Sequence, residues 1–150
     1  MALDRIALAP LAEENGFAVM LFDLLRQNLD AKPHKLKDFD AITANVAIVV
    51  EDADVALTLC FGGGRLTIRN GIAGVPDATI RGDADSIIGM SNLPLSRRLG
   101  VPWAHPRDET SISALRGFVA AIRQGRVHTH TTFAAIPALA RLTRIMSVHG

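Results

Sequence analysis

The feature that most constrains the fold is an alternating apolar pattern that runs into three consecutive glycines. Between Val55 and Phe61 every second residue is large and apolar, which is typical of a half-buried β-strand. The glycines at 62–64 end this strand and give the backbone the freedom needed for a tight hairpin. A second alternating run follows at 65–70, and the Asn-Gly pair at 70–71 predicts a further hairpin. These patterns predict an antiparallel sheet with one apolar and one polar face.

The other elements follow from apolar periodicity and from residues that end helices. Pro33 ends the first helix because proline removes a backbone donor, and a basic connector at 32–37 then leads into the sheet. The order of helices and strands predicts the α+β class. The predicted helices span 11–29, 84–92, 108–125 and 133–148, and the predicted strands span 43–51, 54–61, 65–70, 78–82 and 126–131.

Composition limits the type of protein. The 150 residues fit one domain over 1–150, and a net charge of +1 argues against nucleic acid as a partner. The single cysteine, Cys60, gives no sign of an oxidising compartment. We see no secretory signal at the amino terminus and no run of apolar residues long enough to span a membrane. We therefore expect a soluble, cytoplasmic protein.

The charges are unevenly distributed. Residues 1–109 hold 11 basic and 15 acidic side chains, whereas residues 110–150 hold 5 arginines and no acid. Such asymmetry can indicate an anionic surface as a partner, and ordinary solvated arginines explain it equally well.

Residue patterns that would support catalysis are weak. His128 and His130 would point the same way on a strand, but two ligands make a poor metal site. The aspartates occur where turns and helix caps favour them, so an isomerase that uses Asp77 or Asp83 as its base is a minor alternative. We expect no enzymatic activity, no catalytic residue, no metal and no cofactor.

A series of motifs in the second third of the chain resembles a known family. The series is Asp-Val-Ala-Leu-Thr-Leu-Cys-Phe-Gly-Gly-Gly-Arg-Leu-Thr-Ile-Arg-Asn-Gly at 54–71, Pro-Asp-Ala-Thr-Ile at 76–80 and Gly-Asp-Ala at 82–84. Gln-Gly-Arg-Val at 124–127 is similar to the family's last strand. In this order the motifs resemble the sterol carrier protein-2 lipid-binding family over about 17–131, and the helix at 133–148 is additional.

This resemblance implies an antiparallel five-stranded sheet covered on one face by helices, with an apolar tunnel between them. It implies binding and transfer of a fatty acyl chain, a sterol or a similar lipid without catalysis. The residues that we predict to contact the ligand are Leu57, Leu59, Phe61, Leu66, Ile68, Met90, Phe118 and Ile122, with Ile136 and Leu139 as a lid.

Two further hypotheses concern partners. The same fold with a filled core would suit an accessory or partner subunit of an enzyme in a lipid pathway. The basic carboxyl-terminal segment would suit transient contact with an anionic membrane surface through Arg141 and Arg144.

Overall fold

A computed structural model describes residues 4–91, 116, 120, 123–125 and 127–147 of the chain. The predicted helix at 108–125 therefore lies almost wholly outside the described residues. The strands are Ile6–Leu8 (β1), Ala44–Val50 (β2), Val55–Gly62 (β3), Arg65–Asn70 (β4), Ala78–Gly82 (β5) and Val127–Thr131 (β6). The α-helices are Gly16–Ala31 (α1), Leu36–Ala41 (α2), Ala84–Ser91 (α3) and Ile136–Met146 (α4), and short 3-10 turns span Ala12–Glu14, Pro33–Lys35 and Phe133–Ala135.

The strands form one mixed sheet. In the described part of the chain it has six strands in the order β1-β4-β3-β2-β5-β6. The β1–β4 and β2–β5 pairs are parallel, and the other pairs are antiparallel. The α+β class is therefore confirmed, whereas the prediction of an antiparallel five-stranded sheet is wrong.

The connection between β4 and β5 explains why β2 and β5 pair in parallel. Instead of turning back as a hairpin, it crosses β3 and β2 and places β5 beside β2. The Thr58 hydroxyl holds the start of this connection, because it donates to the Gly71 carbonyl (2.8 Å) and accepts from the Ala73 N–H (3.0 Å). At the far end the Asp77 N–H donates to the Asn45 carbonyl at 2.8 Å. We call this segment, residues 71–77, the crossover loop.

Strand β1 was not predicted, because three residues are too few to show a period. Its parallel pairing with β4 is fixed by backbone hydrogen bonds. The Leu66 N–H donates to the Arg5 carbonyl and the Ala9 N–H donates to the Ile68 carbonyl, each at 2.8 Å. These bonds depend on residues about sixty positions apart in the chain, which no local pattern reveals.

The first long helix begins later than predicted because Asn15 caps it. The Asn15 Oδ1 accepts from the N–H groups of Phe17 (3.1 Å) and Ala18 (3.2 Å), which otherwise have no helical partner. Its Nδ2 donates to the Ala56 carbonyl and the Asn70 Oδ1, each at 3.1 Å. One side chain thus starts α1 and attaches it to the ends of β3 and β4.

The helices and one face of the sheet share a single hydrophobic core. Helix α1 contributes Leu21 and Leu25, both almost wholly buried, and α4 contributes Leu142 and Ile145. Helix α2, which the sequence analysis did not predict, contributes Phe39. The Phe39 ring meets the Phe61 ring edge-on, with 6.0 Å between centroids. The sheet residues on this face include Leu57, Leu59, Phe61, Leu66 and Ile68.

Candidate ligand-binding pocket

An apolar pocket of about 120 Å³ lies between α1, α3 and α4. The lining side chains among the described residues are all hydrocarbon or thioether groups. Such a pocket accepts a hydrocarbon group and cannot orient a polar one, because burying an unpaired polar group costs free energy. The lining residues are Phe17, Met20, Leu21, Leu24, Ile87, Ile88 and Met146.

Helix α1 supplies most of the lining through one of its faces. Phe17, Met20, Leu21 and Leu24 follow the spacing i, i+3, i+4 and i+7, which places them along one side of a helix. Leu21 is 2% exposed and also belongs to the core, while the other three are half-buried. The apolar stripe of α1 is therefore wider than the contact with the sheet requires, and the additional width lines the pocket.

Helix α3 contributes two neighbouring isoleucines with different environments. Ile87 is 1% exposed and lies in the core, whereas Ile88 is 39% exposed. Consecutive helical residues point in directions about 100° apart. One isoleucine therefore forms the floor of the pocket and the other its rim. The start of α3 is fixed from the β2–β3 turn, because the Ala84 N–H donates to the Asp52 Oδ1 at 2.8 Å.

The aspartates considered as catalytic bases occupy structural positions. The Asp83 Oδ1 accepts from the Ser86 N–H at 2.9 Å, which is the hydrogen bond of a helix N-cap. The Asp77 Oδ2 accepts from the Asn45 N–H at 2.8 Å, next to the end of the crossover loop. Neither residue lines the pocket between α1, α3 and α4.

The carboxyl end of α4 is held by side chains from the other end of the chain. The Asn28 Nδ2 donates to the carbonyls of Ile145 (3.2 Å) and Met146 (2.9 Å). The Lys35 Nζ donates to the carbonyl of Ser147. These carbonyls belong to the last turn, where no helical N–H remains to pair with them. Because Met146 also lines the pocket, this contact, which we call the α4 clamp, fixes one wall of the pocket.

Lys35 makes the α4 clamp sensitive to pH. Burial lowers the pKa of Lys35 from 10.5 to about 8, with Lys32 acting in the same direction and Asp38 opposing them. The unfolded chain then binds more protons than the folded chain between pH 8 and 10.5.

Because of this proton uptake on unfolding, we expect the free energy of unfolding of the wild type to increase between pH 8 and pH 10.5 by on the order of 1–3 kcal/mol. We expect no such increase in Lys35→Met. Urea unfolding of both proteins at several pH values measures it. A wild type and a variant with parallel pH profiles would contradict the assignment.

One of the two arginines predicted to meet an anionic surface is paired within the protein. The Arg144 Nη2 lies 3.4 Å from the Asp38 Oδ1, so α2 partly compensates its charge. Arg141 is half-buried on the same helix.

The chain was compared with protein families, curated proteins and solved structures, and only the solved structures match it. No protein-family model and no curated protein matches the chain. Among solved structures, "UbiJ-SCP2 Ubiquinone synthesis protein" superposes with a TM-score of 0.53 at 16% identity, covering 83% of this chain and 90% of that one. The chain has the sterol carrier protein-2 (SCP2) fold.

Two further solved structures match less closely. A crystal structure of sterol carrier protein 2 superposes with a TM-score of 0.46 at 14% identity, covering 83% of this chain and 88% of that one. A solution structure of a conserved hypothetical protein from Thermus thermophilus gives 0.41 at 16% identity, covering 79% of this chain and 76% of that one.

Within this SCP2-like fold, the predicted ligand-contact residues fall into three groups. The five sheet residues lie together in the core and are not among the described residues that line the pocket. Of the two predicted lid residues, Leu139 is half-buried against the core and Ile136 is 48% exposed. Phe118, Ile122 and the side chain of Met90 lie outside the described residues. The ligand contacts of all ten stay a prediction.

Other predicted features were also located. His128 and His130 are exposed on β6, opposite Arg81 and Thr79 of β5. The described residues contain no group of three or more His, Cys, Asp or Glu side chains that could hold a metal ion. Among the described helices, none combines the length and the hydropathy needed to cross a bilayer.

Proposed function

We propose that this SCP2-like protein is a non-catalytic carrier that binds the hydrocarbon part of a lipid between α1, α3 and α4. The observation that supports this most directly is the pocket lining, in which the seven side chains from the described part of the chain are all apolar. A fatty acyl chain, a sterol or a similar lipid offers the matching chemistry, because transfer of its apolar surface out of water provides the binding free energy. The headgroup would remain outside the pocket.

The pocket volume indicates how much of a ligand fits. About 120 Å³ is below the roughly 300–1,000 Å³ of typical small-molecule sites and near the roughly 150 Å³ that accommodates a benzene ring. We propose that the pocket holds the end of a chain or one ring and enlarges for a whole lipid. An enlarged cavity would extend towards the sheet residues predicted as tunnel walls.

A substitution that fills the pocket tests this placement. We expect Met20→Trp to weaken uptake of a fluorescent fatty acid by about tenfold or more, because the larger ring occupies the space between α1 and α3. Gln27→Trp, at an exposed position of the same helix, adds the same ring outside the pocket and should leave uptake unchanged. Titration of the fluorescent probe into each protein measures the effect. Equal uptake by the wild type and Met20→Trp would place the ligand elsewhere.

A second candidate function is that of an accessory subunit that holds no lipid. The small volume of the pocket favours it, and one of the solved structures that superposes on this chain is named a ubiquinone synthesis protein. In that case the chain would act by contacting an enzyme that modifies a lipid-soluble substrate. Purified protein without bound lipid, together with stable co-purification of such an enzyme, would favour this alternative.

A further inference from the structure

Two of the residues that line the pocket carry a sulfur atom. They are Met20 of α1 and Met146 of α4, and the other described lining residues carry hydrocarbon side chains. A thioether packs against hydrocarbon groups as they pack against each other, but a mild oxidant converts it to a sulfoxide. The sulfoxide is polar, and its oxygen accepts hydrogen bonds. Oxidation of a methionine therefore changes the polarity of the pocket after the chain has folded.

The two methionines differ in their contact with solvent. Met146 is 3% exposed, and its carbonyl is held by the α4 clamp. Met20 is half-buried, so part of its side chain packs against the core and part meets solvent. A dissolved peroxide must reach the side chain that it oxidises, and susceptibility therefore follows exposure. Of these two thioethers, Met20 is the one that a peroxide oxidises first in the folded protein.

A sulfoxide at Met20 finds no hydrogen-bond donor among the described side chains that line the pocket. The backbone N–H groups around Met20 already pair within α1. A sulfoxide oxygen that stays in the pocket is therefore buried without a partner, which costs free energy. A side chain that turns outward to hydrate the oxygen leaves a gap in the α1 wall between Phe17 and Leu24. Either position weakens the binding of a hydrocarbon group.

We propose that oxidation of the Met20 thioether to the sulfoxide releases lipid from the pocket and that reduction of the sulfoxide restores binding. The inference rests on the carrier function proposed above, because it concerns the same pocket. Hydrogen peroxide transfers one oxygen atom to the Met20 sulfur. The S–O bond forms, the O–O bond breaks and the peroxide leaves as water, so the sulfur loses the two electrons that the peroxide gains. In the reverse step two thiols supply two electrons, the oxygen leaves as water and a disulfide forms.

Titration of the whole chain with a fluorescent fatty acid, before and after treatment with dilute hydrogen peroxide, tests the proposal. The wild type is compared with Met20→Leu, which keeps the volume and the apolar character of the side chain but has no sulfur. Each protein is measured against its own untreated sample, so a direct effect of leucine on uptake cancels. We expect treatment to raise the dissociation constant of the wild type about tenfold and that of Met20→Leu by less than about twofold. Both classes of methionine sulfoxide reductase, with dithiothreitol as the thiol, should return the wild type to its untreated value.

Met146→Leu is the matched control, because it removes the other thioether of the pocket and leaves Met20 in place. On treatment it should lose affinity by the same factor as the wild type. Cys60 is present in all three proteins, so its oxidation affects them equally. Peptide mass spectrometry locates the added oxygen, which we expect at Met20 before Met146. Circular dichroism checks that each treated protein is still folded.

Four results would overturn the proposal. They are a Met20 that stays reduced until the protein unfolds, oxidation of Met146 before Met20, an unchanged dissociation constant once Met20 is oxidised, and an equal rise in treated Met20→Leu. If the untreated wild type takes up no probe, the carrier function fails and this inference fails with it. Uptake that survives oxidation of Met20 contradicts this inference alone and leaves the carrier function standing.

Discussion

Replacement of Leu59 by alanine is expected to lower the free energy of unfolding by about 3–5 kcal/mol. The Leu59 side chain is 0% exposed at the centre of β3, where its register partners are Val46 on β2 and Ile68 on β4. Both neighbours belong to strands that are paired on both sides, so they cannot move inward to close the space. The cost therefore includes the lost burial and the cavity that remains.

Urea unfolding followed by circular dichroism measures this change, with Leu59→Met as the control. Methionine nearly conserves the volume, so the control should lose less than about 1.5 kcal/mol. A loss for Leu59→Ala below about 1 kcal/mol would contradict a filled core at this position. It would instead indicate open space along the sheet face, where the sequence placed the lipid tunnel.

Replacement of Asn28 by alanine is expected to cost about 2–4 kcal/mol, because each buried carbonyl that loses its donor costs roughly 1–3 kcal/mol. Asn28 is 6% exposed, and its amide serves two carbonyls in the last turn of α4. Water cannot readily replace the amide at a buried helix end. Because Met146 is one of the two residues held, we also expect faster amide exchange at the carboxyl end of α4.

Gln27→Ala is the control for this effect, since Gln27 is the exposed neighbour on the same helix. It should change the free energy of unfolding by less than about 0.5 kcal/mol. Chemical unfolding and hydrogen exchange measured by mass spectrometry give the two readouts. If Asn28→Ala is as stable as Gln27→Ala and α4 exchanges at the wild-type rate, the α4 clamp does not hold the helix.

The elements that the sequence predicted well are those whose signal is local. The alternation from Val55 to Phe61 and the turn at 62–64 gave β3 and the start of β4 almost to the residue. Helix α1 ends at Ala31, shortly before Pro33, as the proline predicted. In each case neighbouring residues alone determine the conformation.

The features that were missed depend on residues far apart in the chain. Both parallel pairs join strands that are separated by other elements, and the prediction assumed that consecutive strands are neighbours. Lys35 was expected in a basic connector, yet it is buried, and its Nζ donates to the Ser147 carbonyl 112 positions away. No local pattern contains that contact.

The described residues that line the candidate pocket differ from those that the sequence analysis named as ligand contacts. The resemblance to the sterol carrier family implied a hydrophobic ligand, whereas the apolar pattern alone could not separate the part of α1 that fills the core from the part that lines a pocket. The wide stripe of α1 was visible in Phe17, Met20 and Leu24. These residues line a pocket only because α3 and Met146 of α4 line its other sides.

Native mass spectrometry of the whole purified chain, with organic extraction of the same sample, tests the carrier proposal most directly. The proposal predicts a bound species of a few hundred daltons that extraction releases as a lipid. This species should be depleted in Met20→Trp and retained in Gln27→Trp. A mass equal to that of the bare chain, together with no uptake of a fluorescent fatty acid, would contradict the carrier function and favour the accessory subunit.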